Sequence, residues 1–293
     1  MNEVRAIDRI DTGPRFTEQD AIRLNRMFRG TETEEWLRAV IEGSLVGDMA
    51  VVSSFGAESA VLLHLIAQVD PTVPVLFLDT GKHFPETLAY RDELTDRLGL
   101  NRVDLYPEIA DLQSRDETGL RWSYDPDGCC ELRKVKPLEK ALAGFDASFT
   151  GRKAFQSATR ANLPRFEVDT ADSQGRLKIN PLIDWSADDI AAYFETHDLP
   201  RHPLVDRGFP SIGCSPCTRQ VGEGGDGGDD VHGCSWVFGA RQGAGSGVGS
   251  GHGRSGGVDV GPAIPVDGES RPARAMQAAP TSAGTAVTAR GVR

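Results

Sequence analysis

Five cysteines stand at Cys129, Cys130, Cys214, Cys217 and Cys234. The adjacent pair Cys129-Cys130 is followed, 84 residues on, by Cys214-Ser215-Pro216-Cys217. Two pairs of thiolates make four ligands, enough for a tetrahedral zinc ion or a four-iron, four-sulfur cluster. Adjacent side chains diverge, which suits the separate irons of a cubane better than a single ion. A vicinal disulfide or a set of buried thiols is the alternative that spacing leaves open. The cysteine count is odd and no apolar leader follows Met1, so a structural disulfide framework is not expected. Metal binding or redox chemistry is.

Two further segments have the residue types of an anion site. Ser53-Ser54-Phe55-Gly56-Ala57-Glu58-Ser59 lies between a short apolar run and a helical pattern. A strand–turn–helix of this kind presents backbone N–H groups and the positive end of a helix to a phosphate. Gly56 permits close approach, and Ser54 and Ser59 can donate hydroxyls. Leu78-Asp79-Thr80-Gly81-Lys82-His83-Phe84-Pro85 ends the next strand-like run, where the crevice of a parallel sheet would place Asp79 and Thr80 beside a nucleotide. Read singly, each segment also fits an ordinary strand–helix connection.

The elements that must position these residues alternate. Strands are expected at Met49–Ser53, Val73–Leu78, Asn101–Tyr106 and Ala147–Thr150. Phe166–Val168 and Arg176–Ile179 read as a hairpin. Helices are expected over Glu18–Phe28 capped by Thr17, Glu34–Glu42 capped by Thr33, residues 57–68, 85–98, Lys134–Ala143, and from a cap at Ser186 to Thr196. The alternation predicts an α/β fold: a mostly parallel twisted sheet with helices on both faces. The net charge of −11 argues against a nucleic-acid partner, which would require a basic stripe. No apolar run approaches a membrane span, so a cytoplasmic location and no membrane partner are expected.

The pairing of Ser-Phe-Gly-Ala-Glu with Leu-Asp-Thr-Gly-Lys-His-Phe-Pro-Glu-Thr about 20 residues later resembles the adenylyl-sulfate and phosphoadenylyl-sulfate reductases, enzymes of the modified PP-loop group with an adenine-nucleotide α-hydrolase-like fold. The resemblance continues through Gly151-Arg152-Lys153-Ala154-Phe155-Gln156-Ser157, Arg160 and Lys178-Ile179-Asn180-Pro181-Leu182 to Cys217. Cys-Cys followed by Cys-x-x-Cys resembles the adenylyl-sulfate branch, which implies a [4Fe-4S] cluster on Cys129, Cys130, Cys214 and Cys217. It also implies a place for Lys134 between cluster and substrate sulfate. The substrate contacts it implies are Ser53, Ser54, Phe55, Gly56, Ser59, Asp79, Thr80, Gly81, Arg152, Gln156, Ser157 and Arg160. Guanidinium forks such as those of Arg152 and Arg160 suit phosphate or sulfate oxygens.

The implied chemistry is nucleophilic. A thiolate attacks the sulfur of adenylyl sulfate, AMP leaves, and an S-sulfocysteine remains until thioredoxin or glutaredoxin thiols release sulfite. In the family the nucleophile stands near the C-terminus, in Glu-Cys-Gly followed by Ile or Leu and His. That motif is not found here, and Cys234, in Val231-His232-Gly233-Cys234-Ser235-Trp236, is the remaining candidate. After residue 218 the chain holds 19 of its 33 glycines and no lysine. The expected organisation is N-terminal helices over 1–44, the α/β domain over 45–221, and a tail over 222–293 that reads as disordered or as the product of a shifted reading frame. Three other readings remain: a cluster-bearing nucleotide-binding protein without turnover, a phosphoadenylyl-sulfate reductase, and a PP-loop ATP pyrophosphatase or sulfurtransferase. The last is weakened by Ser-Phe-Gly-Ala-Glu-Ser, where such enzymes carry Ser-Gly-Gly-x-Asp-Ser.

Overall fold

The computed structural model describes residues 14–156, 160, 162–170 and 172–220. Six strands form one sheet: β1 Met49–Ser53, β2 Val75–Leu78, β3 Arg102–Leu105, β4 Ala147–Phe149, β5 Phe166–Val168 and β6 Leu177–Ile179. Their spatial order is β3-β2-β1-β4-β6-β5. All neighbours are parallel except β5, which pairs antiparallel with β6 in the register Phe166↔Ile179, Glu167↔Lys178, Val168↔Leu177. The expected hairpin and the expected mostly parallel sheet are both observed.

The helices are α1 Glu18–Met27, α2 Thr33–Glu42, α3 Ser59–Ala67, α4 Pro85–Leu98, α5 Ile109–Arg115, α6 Arg121–Tyr124, α7 Pro126–Cys130, α8 Lys136–Leu142 and α9 Ala187–Thr196. Strand alternation divides the core. Val51, Val75, Phe77, Phe149 and Ile179 meet apolar residues of α1, α2, α3, α4 and α9. Ala50, Val52 and Leu76 point to the other face, against Leu138 and Leu142 of α8. Helix α3 is buried from Ala60 through Ile66, as a helix that is apolar all round must be. Helices α1 and α2 share the first core, through Leu24, Phe28, Trp36 and Val40.

Local signals set several boundaries. Thr17 and Asp20 form a reciprocal capping box at α1, and Ser186 and Asp189 another at α9. Pro85 opens α4 and Gly99, at φ +63°, closes it. Two expectations need correction. Thr33 is not the cap of α2 but its first residue: its buried hydroxyl accepts from Trp185 Nε1 at 2.9 Å, and Glu32 takes the cap position. The helix expected over Lys134–Ala143 instead begins as a π-helical turn, Glu131–Val135, before α8. Pro137 lacks the N–H that an α-helix would donate to Arg133, and its ring crowds that carbonyl, so the turn before it widens.

Candidate functional site

The chain runs outward from β1 to β2 and β3 on one side, and reaches β4 on the other. The crevice between the loops after β1 and β4 is therefore the topological switch point, where open α/β sheets bind ligands. Its first wall is the turn from Ser53 to Ser59. Phe55 is held at φ +49°, a conformation costly for a bulky residue, by burial of its ring edge-on to Phe77 at 5.5 Å. Its N–H donates to Ser53 Oγ at 3.2 Å. Ser59 Oγ donates to Gly56 O at 2.7 Å, while Ser54 stays exposed. A Cβ on Gly56 would stand 3.2 Å from Ile212 O, so the turn lies close against the segment leading to Cys214.

The second wall follows β4. Lys153, nearly buried, pairs with Glu58 across the crevice at 2.9 Å. Burial pushes its amine below the usual lysine range, and the Glu58 carboxylate pulls it back. Gln156 Nε2 donates to Glu58 Oε2 at 3.3 Å, and Arg160 NH1 donates to Gln156 Oε1 at 2.6 Å. Arg152 has a different setting from its motif neighbours. Its buried guanidinium donates to Thr150 Oγ1 at 3.2 Å and Asn180 Oδ1 at 3.1 Å, and pairs with Glu167. Those contacts tie β4 to the β5–β6 hairpin. Lys178 likewise pairs with Asp169 at 2.6 Å. Ser157 and Cys234 lie outside the described residues.

The loop after β2 joins the crevice to the cysteines. Asp79 Oδ1 accepts from Gly81 N at 2.9 Å, closing a tight turn in which Gly81 takes φ +67°. His83 forms an antiparallel bridge with Cys214, and Ser215 N donates to Lys82 O at 2.7 Å. Thr80 Oγ1 lies 3.3 Å from Cys214 Sγ. Cys129, Cys130, Cys214 and Cys217 then line one small cavity, together with Lys82, Arg133 and Lys134.

Each side of that cavity is braced. Asp125 caps α7 by accepting from Gly128 N at 2.9 Å and pairs with Arg121 at 2.6 Å. A Cβ on Gly128 would lie 2.2 Å from Asp125 Oδ2, so only glycine fits there without movement. Arg133 donates to Thr80 O at 2.8 Å and to Asp116 Oδ2 at 2.6 Å. Burial works against the Asp116 carboxylate, but Arg133 and the Arg121 N–H hold it below the usual range. Burial pushes the Cys129 thiol up, and Arg133 draws it back.

Among the described residues, no three His, Cys, Asp or Glu side chains are placed to hold a single metal ion. The four thiols around one cavity are a donor set that would suit an iron–sulfur cluster. Three cations on the same wall would offset the charge of thiolates and sulfides.

Sequence reasoning did not single out Glu58, Lys82, Asp116 or Lys153. Glu58, Lys82 and Lys153 lie inside the quoted motifs, but their partners are distant in sequence. A larger open groove of about 630 Å³ between α1 and residues 163–167 contains none of the motif residues. Among the described residues no helix is long and apolar enough to cross a membrane.

Residues 48–220 match the phosphoadenosine phosphosulfate reductase domain family. The adenosine 5'-phosphosulfate reductase of Mesorhizobium japonicum is 52% identical over 180 residues, 61% of this chain and 69% of that protein. That of Mycobacteroides abscessus is 43% identical over 200 residues, 68% of this chain and 82% of its own. The crystal structure of phosphoadenylyl-sulfate reductase from Candida auris, a phosphate complex, superposes with a TM-score of 0.60 at 26% identity, covering 70% of this chain and 98% of that one. The fold is thus the nucleotide-binding, PP-loop-like α/β fold, and the chain belongs to the adenosine 5'-phosphosulfate reductases, a family of oxidoreductases acting on sulfur.

Proposed function

We propose that the domain over 45–221 binds adenylyl sulfate at the switch-point crevice for its reduction to sulfite and AMP in sulfate assimilation in the cytoplasm, with thioredoxin or glutaredoxin as reductant. The observation that carries this reading is the lining of one cavity by all four motif cysteines, beside the loop after β2 that joins it to the crevice. The turn from Ser53 to Ser59 would receive the phosphate, and Lys134, on the cavity wall, would meet the sulfate. Gln156 and Arg160 would approach from the β4 side, together with Ser157.

A [4Fe-4S] cluster held by Cys129, Cys130, Cys214 and Cys217 would supply iron–thiolate bonds joining α7 to the 214–217 turn. In the proposed reaction a cysteine thiolate bonds to the sulfate sulfur and the S–O bond to AMP breaks. One reductant thiol then attacks the cysteine sulfur of the S-sulfocysteine, and sulfite departs with the bonding pair. The second thiol closes the reductant's disulfide and frees the enzyme thiol, so two electrons reduce S(VI) to S(IV).

A second reading is favoured by one feature of the sequence. Cys234 stands in Gly233-Cys234-Ser235 and not in the family's Glu-Cys-Gly context. On that reading the chain holds cluster and nucleotide without turnover. Anaerobic purification with iron and sulfide analysis, followed by titration with adenylyl sulfate and its 3'-phosphorylated analogue, tests the assignment. Iron, sulfide and a preference for adenylyl sulfate are expected. Stoichiometric zinc without sulfide would refute the cluster, and preference for the 3'-phosphate form would refute the substrate.

A further inference from the structure

We propose that Lys153 is a positioning residue for the nucleotide: it draws the Glu58 carboxylate sideways, off the start of α3, and so keeps that helix end open to the phosphate. The inference rests on the reading that the crevice binds adenylyl sulfate. Glu58 occupies the N-cap position of α3, yet its side chain makes no capping hydrogen bond. A carboxylate released at this position would be drawn toward the positive end of α3. Here the carboxylate pairs instead with Lys153 Nζ at 2.9 Å and accepts from Gln156 Nε2 at 3.3 Å.

Lys153 is held for this task. Its side chain is 4% exposed. Its ammonium also donates to Gly151 O at 3.1 Å, so the amine is anchored on the β4 loop while it reaches the β1 loop. Release of Glu58 would have two consequences. The carboxylate would compete with the ligand for the same N–H donors, and it would set a negative charge beside the incoming phosphate. The pair therefore acts on the ligand through the helix start, without touching the reacting sulfur.

The test is calorimetric titration of the full chain with AMP, with thermal unfolding of every variant measured in parallel. Lys153→Met should weaken AMP binding at least about fivefold, and Lys153→Arg should stay within about twofold of wild type. The distinguishing variant is Lys153→Met combined with Glu58→Gln. Removing the released carboxylate should bring AMP affinity back toward wild type. Lys153→Leu, which likewise removes both the donor and the charge, takes the place of Lys153→Met should the latter fail to fold.

A merely structural pair would behave otherwise. The single variant would unfold at lower temperature while its folded fraction bound AMP normally, and the double variant would show no recovery. Either result overturns the inference. If wild type takes up no AMP, the functional reading falls and this inference with it. If wild type binds AMP and Lys153→Met binds equally well, only the inference falls.

Discussion

Thr80 Oγ1 stands 3.3 Å from Cys214 Sγ, joining residues 134 positions apart in the sequence. Thr80 lies in the loop after β2, beside the switch-point crevice, and Cys214 opens the second cysteine pair. The backbone bridge between His83 and Cys214 fixes the same contact from the other side. The cysteine cavity and the crevice are therefore built on one loop.

The four cysteines that line one cavity should be the ones that hold iron. Replacing Cys129, Cys130, Cys214 or Cys217 by Ser should abolish or strongly reduce iron and sulfide in anaerobically purified protein. Cys234→Ser should leave both unchanged. Equal iron loss in all five variants would contradict the ligand assignment.

Arg152 is expected to act on stability before binding. Its guanidinium is buried against Thr150, Asn180 and Glu167, so Arg152→Ala takes the cationic partner from the Glu167 carboxylate and leaves it the longer bond from Asn180 Nδ2 at 3.3 Å. Breaking a buried pair from one side costs on the order of 3 kcal/mol. Thermal unfolding should show that loss, while protein that remains folded should bind AMP with near-normal affinity. A large loss of affinity without a change in unfolding temperature would place Arg152 on the ligand instead.

The contrast between Arg152 and the capping boxes shows what one sequence can reveal. The boxes at Thr17/Asp20 and Ser186/Asp189 close within four residues, and the Pro85–Gly99 bounds of α4 are equally local. The sheet followed from alternating apolar runs, and the β5–β6 hairpin from its turn residues. The destination of a long side chain is not local. Thr33 is claimed by Trp185, Glu58 by Lys153, and Arg152 by Glu167, and nothing in the spacing of these residues announces the pairing. The π-helical turn has a local cue in Pro137, whose missing N–H interrupts the α-helical ladder.

Stability should fall with acid through His202. This residue is fully buried, accepts from Leu204 N on Nδ1 at 3.1 Å, and donates from Nε2 to Thr87 Oγ1 at 3.0 Å. Burial pushes its pKa from 6.5 to about 4. Between those values the unfolded chain binds a proton that the folded chain refuses, so stability declines as pH falls through that window and the loss is complete below about 4. The full effect is on the order of 3 kcal/mol. His202→Gln should flatten the slope of unfolding free energy against pH between neutral and mildly acidic conditions. An unchanged slope would contradict the assignment.

Turnover should lag behind binding. Attack on sulfur needs a thiolate within reach, and a misplacement of about 1 Å can cost on the order of a hundredfold. The unmodified chain should release little sulfite with thioredoxin. A chain given a family-type Glu-Cys-Gly-Leu-His ending after residue 221 should release it readily. Robust thioredoxin-dependent release by the unmodified chain would contradict this. Loss of that activity in Cys234→Ser, with mass detection of S-sulfonated Cys234 in wild type, would then identify the nucleophile.

The most direct measurement is anaerobic calorimetric titration of the full chain with adenylyl sulfate, run beside Gly56→Val. Gly56 lies in the first wall of the crevice, where an added side chain would press on Ile212 O and fill the turn. One molecule should bind per chain in wild type, and Gly56→Val should lose that binding while keeping its iron. Absence of binding to the iron-loaded wild type, or undiminished binding to Gly56→Val, would contradict the placement of the nucleotide at the switch point.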